Sequence, residues 1–235
     1  MKPVASETFR KVYADLLSSE IGADGLLIDI GSKDGVIASE LQSAFDADVI
    51  AVDPMFEDSD ESNVSFLRAD GCRLPFENDT VDTIISNMVI EHISEKEQLF
   101  SEASRILAPD GVFIVIFPNR VWPFDGHDYP PGFVWVPRRL GETLADVFEL
   151  KPEYYRDSMH PTSSIGSKRK LRTYFGSVQY RSDQLLTIEY ENSRRGELLS
   201  EVKGPLLPVF GVPGLSVLLE AIFPVAIYEV RNPLI

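Results

Sequence analysis

The residues best suited to chemistry in this sequence are carboxylates that stand where apolar runs end. Leu27-Ile28-Asp29-Ile30-Gly31-Ser32-Lys33-Asp34-Gly35 reads as a strand, a glycine turn and a helix start. Gly31 lets the chain turn sharply with a ligand against its backbone, and Gly35 lets the helix pack closely on the strand. The first helical amides then face the ligand. Taken alone, such a turn is common among nucleotide-binding proteins. Asp53 ends the next apolar run, where a carboxylate can accept both hydroxyls of a ribose lying across the strand ends. Asp70 follows a third run and can accept from an adenine amino group. Together these residues describe a seat for an adenosyl ligand.

Such a seat requires a sheet. The runs Leu26–Ile30, Val49–Val52, Val64–Leu67, Val81–Met88 and Val112–Phe117 are nearly continuous in apolar residues and predict buried strands. Val36, Ile37, Leu41 and Ala44 follow helical spacing after Gly35. Glu95 to Leu107 does the same and stops at the expected turn Pro109-Asp110-Gly111. Strands alternating with helices predict a parallel sheet covered on both faces, doubly wound as far as Phe117. Residues 5 to 20 form a predicted amphipathic helix ahead of it.

Beyond Phe117 the pattern is less regular. Residues 118 to 135 are rich in proline and aromatic side chains, too apolar for a simple linker. Helices are expected over Pro137–Phe148 and Lys168–Phe175, and strands over Leu185–Tyr190 and Ala226–Val230. The apolar stretch Leu206–Val230 is broken by Pro208, Gly211, Pro213, Gly214 and Pro224 and carries Glu220. It reads as a buried helix and strand rather than a stable membrane span, with a peripheral membrane contact as the alternative.

The ordered motifs Asp-x-Gly-x-x-x-Gly, Val-Asp-Pro, Ala-Asp-Gly-x-x-Leu-Pro-Phe, Asn-Met-Val-Ile-Glu-His-Ile and Arg-Ile-Leu-Ala-Pro-Asp-Gly-Val occur at suitable spacing. In them the chain resembles the type 11 group of class I S-adenosylmethionine-dependent methyltransferases, from about Leu26 to Pro118. The resemblance implies an α/β, Rossmann-like, doubly wound seven-stranded sheet, mostly parallel with the last strand antiparallel, and a small substrate-side cap. It implies a single domain over 1–235: a cofactor half at 21–118, a cap at 119–190, and a C-terminal helix with the last strands at 191–235. S-adenosyl-L-methionine would be the cofactor. Asp29, Gly31, Ser32 and Gly35 would surround its methionine part, Asp53 its ribose, and Pro54 or Met55 would stack on adenine. Asp70 with Gly71 or Cys72 would recognise the base, and Asn87, Met88 and His92 would line the pocket near the methyl group. One position departs from the family: Lys33 stands where glycine is usual. Its side chain is expected to point to solvent or to Asp34.

His92 follows Glu91, a pair that the family often carries, so a pocket-lining role is preferred there to proton transfer. The segment Pro118-Asn119-Arg120 through Asp125-Gly126-His127 resembles a loop of methyltransferases that modify glycans and lipid-linked glycans. It follows the fifth strand, at the sheet edge where open α/β folds place ligands. His127 is the candidate base for an acceptor hydroxyl, oriented by Asp125 or Asp128, with a structural role in the loop as the competing reading. The basic run Lys168-Arg169-Lys170 with Arg172 reads as a solvated helix face, the alternative being an anion contact.

Composition sets the outer limits. The net charge is −15, which argues against nucleic acid as a partner. A single cysteine excludes an internal disulfide framework, and no residue cluster has metal-ligand spacing. The first residues lack a continuous apolar core, so a cytoplasmic protein is expected. The acidity suits either a high-salt cytoplasm or an ordinary acidic enzyme. The reading is therefore O-methylation of a small-molecule, sugar or lipid-linked acceptor. The alternatives are a quinone or lipid C-methyltransferase and a non-catalytic S-adenosylmethionine-binding regulator. Oligomeric state is left open.

Overall fold

Strands form where apolar residues run without interruption, because both faces of the resulting sheet are covered. In this computed structural model the described residues are 25–45, 47–56, 64–122, 132–147, 160–182, 215–223 and 225–235. They form β1 (Leu26–Ile30), α1 (Val36–Phe45), β2 (Asp48–Val52), β3 (Ser65–Leu67), β4 (Val81–Asn87), α2 (Lys96–Ile106) and β5 (Leu107–Pro118). There follow α3 (Arg138–Val147), α4 (Ser164–Tyr174), β6 (Phe175–Tyr180), α5 (Leu215–Ile222) and β7 (Val225–Pro233). Short 3-10 turns lie at Ile90–His92 and Phe133–Trp135.

The seven strands make one sheet in the order β3-β2-β1-β4-β5-β7-β6. The first five are parallel, and β7 runs antiparallel to both of its neighbours. This is a Rossmann-like, doubly wound sheet, as expected mostly parallel with its last strand antiparallel. Side chains alternate along each strand, so the core splits in two. Ile28, Ile30, Ile84, Phe113 and Tyr228 pack with Leu99 and Phe100 of α2 and Leu171 of α4. Leu27, Ala51, Ile85, Ile114 and Ile227 pack on the other face with Ala38 and Leu41 of α1. Chain order reverses between β1 and β4, which opens the crevice where such sheets hold ligands.

Three local details differ from expectation. Leu107 already pairs with Val81, while the next pair joins Thr83 to Val112. Pro109-Asp110-Gly111 is therefore a bulged entry into β5 rather than a turn ahead of it. The helix read over Lys168–Phe175 begins earlier, at Ser164, where the Ser163 hydroxyl caps the Gly166 N–H (3.1 Å). Phe175 then opens β6. That strand pairs with β7 alone, so its run Phe-Gly-Ser-Val-Gln-Tyr mixes polar with apolar residues and gives no strong strand signal. The helix over 5–20 and the strand over 185–190 lie outside the described residues.

The C-terminal helix is turned the opposite way from a simple amphipathic element. Glu220 is buried, 5% exposed, whereas Val217, Leu218 and Ile222 of the same helix are 57%, 56% and 44% exposed. The Glu220 carboxylate takes the Lys168 ammonium at 2.7 Å and the Tyr228 hydroxyl at 2.8 Å. Lys170 likewise meets Glu97 of α2 at 2.5 Å. The basic run on α4 thus ties that helix to α5 and α2. Among the described residues, no helix is long and apolar enough to cross a membrane.

Candidate active site at the strand tips

The β1 strand ends in a turn whose amides reach across to β2. The N–H groups of Gly31 and Ser32 both donate to the Val52 carbonyl (2.7 and 3.2 Å). Gly31 has φ +78 and Gly35 φ +72, a region that L side chains avoid. A Cβ at Gly31 would strike the Val89 side chain, and one at Gly35 would strike the ring of Phe66. Both glycines are therefore required by contacts with the β4 exit and with β3. Lys33 shares the left-handed conformation, with φ +54, and its side chain is exposed.

The Lys33 N–H donates to the Asp53 carboxylate at 2.9 Å, and the Met55 N–H takes the other oxygen at 2.8 Å. Asp53 is thereby fixed at the tip of β2 with lone pairs left for another donor. Asp29 sits beside it on β1, buried, and its Oδ2 has no hydrogen-bond partner. Burial, with the charge of Asp53 nearby, raises the Asp29 carboxyl to about 7. Two buried polar atoms beside the same tips are also unpartnered: the Ser32 hydroxyl and the Asn87 Oδ1. Buried polar groups are nearly always paired, so such a gathering marks a place built for a polar guest.

The other expected contacts sit at neighbouring tips. Pro54 and Met55 follow Asp53 and are exposed, with the Arg68 Nε donating to the Pro54 carbonyl at 3.1 Å. At the tip of β3, the Asp70 carboxylate accepts the Cys72 N–H (2.9 Å) and its carbonyl accepts the Arg73 N–H (2.8 Å), which makes a compact turn through Gly71. Burial and Asp70 raise the Cys72 thiol to about 11. Met88 continues from Asn87 with φ +55, its N–H tied to the Ile116 carbonyl (2.8 Å). His92 lies in the 3-10 turn just beyond. His127 and Asp125 lie outside the described residues.

Other polar residues of this edge were given no role of their own from sequence. Asn119, buried at the end of β5, donates to the carbonyls of Ala221 (2.9 Å) and Phe223 (3.0 Å) and accepts the Ser164 N–H (3.1 Å). The neighbouring Glu91 is buried, with Oε2 unpartnered, and burial raises its carboxyl to about 8. Close to it, Lys96 is buried in the first turn of α2, a position where the helix dipole favours acids. That misplaced charge is the one local signal that sequence offered. Burial and Lys170 lower its ammonium to about 8.

With this geometry in place, the relatives are informative. Residues 28–115 match the type 11 family model described as a methyltransferase domain. An uncharacterized methyltransferase of Mycobacterium tuberculosis is 32% identical over 112 residues, covering 43% of this chain and 42% of the relative. One from Mycobacterium leprae is 31% identical over 137 residues, 54% and 50% of the two chains. The chain spans about half the length of the curated relatives it matches. Among solved structures, a phosphoethanolamine N-methyltransferase of Haemonchus contortus superposes with TM-score 0.59 at 16% identity, covering 96% of this chain and 52% of that one. It was solved with phosphomonomethylethanolamine and S-adenosylhomocysteine. A geranyl diphosphate C-methyltransferase of Streptomyces coelicolor gives 0.54 at 16% identity, covering 97% and 80%.

Proposed function

We propose that this chain, whose residues 28–115 carry the methyltransferase domain, transfers a methyl group from S-adenosylmethionine to an oxygen of a small-molecule, sugar or lipid-linked acceptor. The observation that carries the reading is the set of buried, unpartnered polar atoms at the tips of β1 and β4, beside the fixed carboxylate of Asp53. The donor set fits the cofactor. Its methionine end is cationic, and Asp29 offers a buried carboxyl with an unused oxygen. Its ribose presents vicinal hydroxyls, and both oxygens of Asp53 retain acceptor capacity. Pro54 and Met55 offer an apolar face to the base, with Asp70 to Cys72 at its edge.

The bound cofactor supplies a methyl group already activated by a sulfonium. The protein's task is then alignment and exclusion of water. Asp29 and Ser32 hold the amino-acid end, Asp53 the sugar, and Asn87 with Met88 and His92 border the transfer site. Lys33 is exposed while its backbone serves Asp53, so the substitution for glycine leaves the pocket its shape. In this reading segment 119–190 forms the acceptor side, His127 accepts the proton of the acceptor hydroxyl and Asp125 orients it. The structural neighbours are named for methylation of nitrogen and of carbon within one fold, so the fold by itself does not choose the acceptor atom.

The test is in two steps. Calorimetric titration with S-adenosylhomocysteine is expected to show one site, and Asp53→Ala is expected to abolish it. Incubation with methyl-labelled cofactor and cell extract is expected to yield a labelled product whose oxygen carries the methyl. Absence of any binding by the folded protein sinks the assignment.

A further inference from the structure

Residues 160–164 cross the carboxyl edge of the sheet between the tips of β4 and β5, and they are stitched on both sides. On the β4 side the His160 N–H donates to the Glu91 carbonyl (2.5 Å). The Lys96 ammonium donates to the His160 carbonyl (2.7 Å) and to the Ile93 carbonyl (2.6 Å). On the β5 side the Arg120 N–H donates to the Thr162 carbonyl (2.9 Å) and the Ser164 N–H to the Asn119 Oδ1 (3.1 Å). The result is a strap that joins the 3-10 turn Ile90–His92, just after Met88, to the end of β5. Its β5 side is neutral and backbone-like. Its β4 side depends on a buried charge.

We infer that Lys96 is a positioning residue of the acceptor side, fixing the strap 160–164, with the His160 N–H on Glu91, against the methyl-transfer edge. The inference rests on the methyl-transfer reading above. The geometry carries it in two ways. First, Lys96 is buried on a helix turn whose dipole opposes a cation, an arrangement that needs a specific return. Second, its contacts are carbonyls of two segments separated by more than sixty residues, so the ammonium ties together parts that are distant in sequence. The charged groups around it are Glu91 on the 3-10 turn, Glu97 on its own helix and Lys170 on α4.

The experiment compares the wild-type chain with Lys96→Met by site-resolved hydrogen exchange and by titration with S-adenosylhomocysteine. The amides of His160 and Ser164 are expected to exchange about tenfold faster or more in the variant, as loss of a charge-assisted bond implies. Amides of β1 and β2 are expected to keep their protection. S-adenosylhomocysteine affinity is expected to stay within about twofold, while labelled-methyl incorporation into extract falls by about tenfold. Unchanged exchange at His160 and Ser164 overturns the inference. So does acceleration spread evenly over β1, β2 and β4, which is plain destabilisation. If Lys96→Met does not fold, Lys96→Gln, which removes the charge but keeps an amide donor group, is read in the same way. A wild-type protein that ignores S-adenosylhomocysteine sinks the methyltransferase reading, a result separate from the exchange pattern.

Discussion

At the scale of single residues, Asp29 is a carboxyl set where its charge is hard to keep. It is buried, its Oδ2 is unpartnered, and Asp53 repels it. Its folded value is raised from 3.8 to about 7, so the protonated form fits the fold best. Stability from this group is complete below pH 4 and is lost as pH rises through 7, by up to about 4 kcal/mol. Asp29→Asn is therefore expected to stabilise the unliganded protein more at pH 8 than at pH 5, and to weaken S-adenosylhomocysteine binding. Urea titrations at the two pH values check the first part; a gain no larger at pH 8 refutes the argument. Lys33 poses a simpler question. It holds φ +54, a conformation that costs an L residue about 1 kcal/mol. Lys33→Gly is expected to gain about 0.5 kcal/mol or more in the same titration, glycine's extra chain entropy taking back the rest. For His127, replacement by Ala is expected to cut turnover about a hundredfold with S-adenosylhomocysteine affinity unchanged. Near-full turnover would return that histidine to a structural role.

At the scale of elements, the loop between β3 and β4 shows why a sequence motif can look catalytic and be architectural. Arg105, near the end of α2, donates to the carbonyls of Leu74 (3.1 Å) and Phe76 (2.9 Å), to the Asn78 side chain (2.8 Å) and to Glu102. Glu102 in turn accepts the Leu74 N–H at 2.6 Å. These two side chains hold the Leu-Pro-Phe loop that follows the Asp70 turn. Arg105→Ala is expected to cost about 2 kcal/mol, kept modest by its partial exposure, and to loosen cofactor binding through that turn. A variant with unchanged denaturation midpoint contradicts the role. The same distinction explains what sequence could reveal. The tips of β1, β2 and β3 were legible because each carries its carboxylate within a few residues of an apolar run and a turn. β6 was not, because an edge strand need not be apolar throughout. Neither were Lys96, Asn119 and His160, whose partners lie tens of residues away, where no local period reaches. α5 was read as a buried helix, yet its charged residue faces inward to Lys168 and Tyr228. Only the tertiary partners decide that orientation.

At the scale of the whole molecule, charge is the dominant feature. The chain has 37 acidic and 22 basic residues. Several of the cations are committed to internal ties: Arg105 to Glu102, Lys168 to Glu220, and Arg181 and Arg231 to Glu229. These bridges are partly buried and little screened, whereas the remaining acids repel one another across the surface. Salt shortens the reach of that repulsion from about 10 Å at 0.1 M to about 3 Å at 1 M, while leaving buried pairs almost unchanged. Raising KCl over that range is therefore expected to increase the thermal midpoint by several degrees, roughly the effect of 1–2 kcal/mol in a chain of this length. The Lys170–Glu97 bridge, about half-exposed on both sides, works in the opposite direction and sets a small offset. Scanning calorimetry at fixed pH reads the balance. A midpoint that stays level or falls with KCl would mean that surface pairs, not net repulsion, govern stability, and would remove the high-salt reading of the composition. A steep rise would place the folded state's optimum in concentrated salt, where the acidic surface ceases to oppose the compact fold.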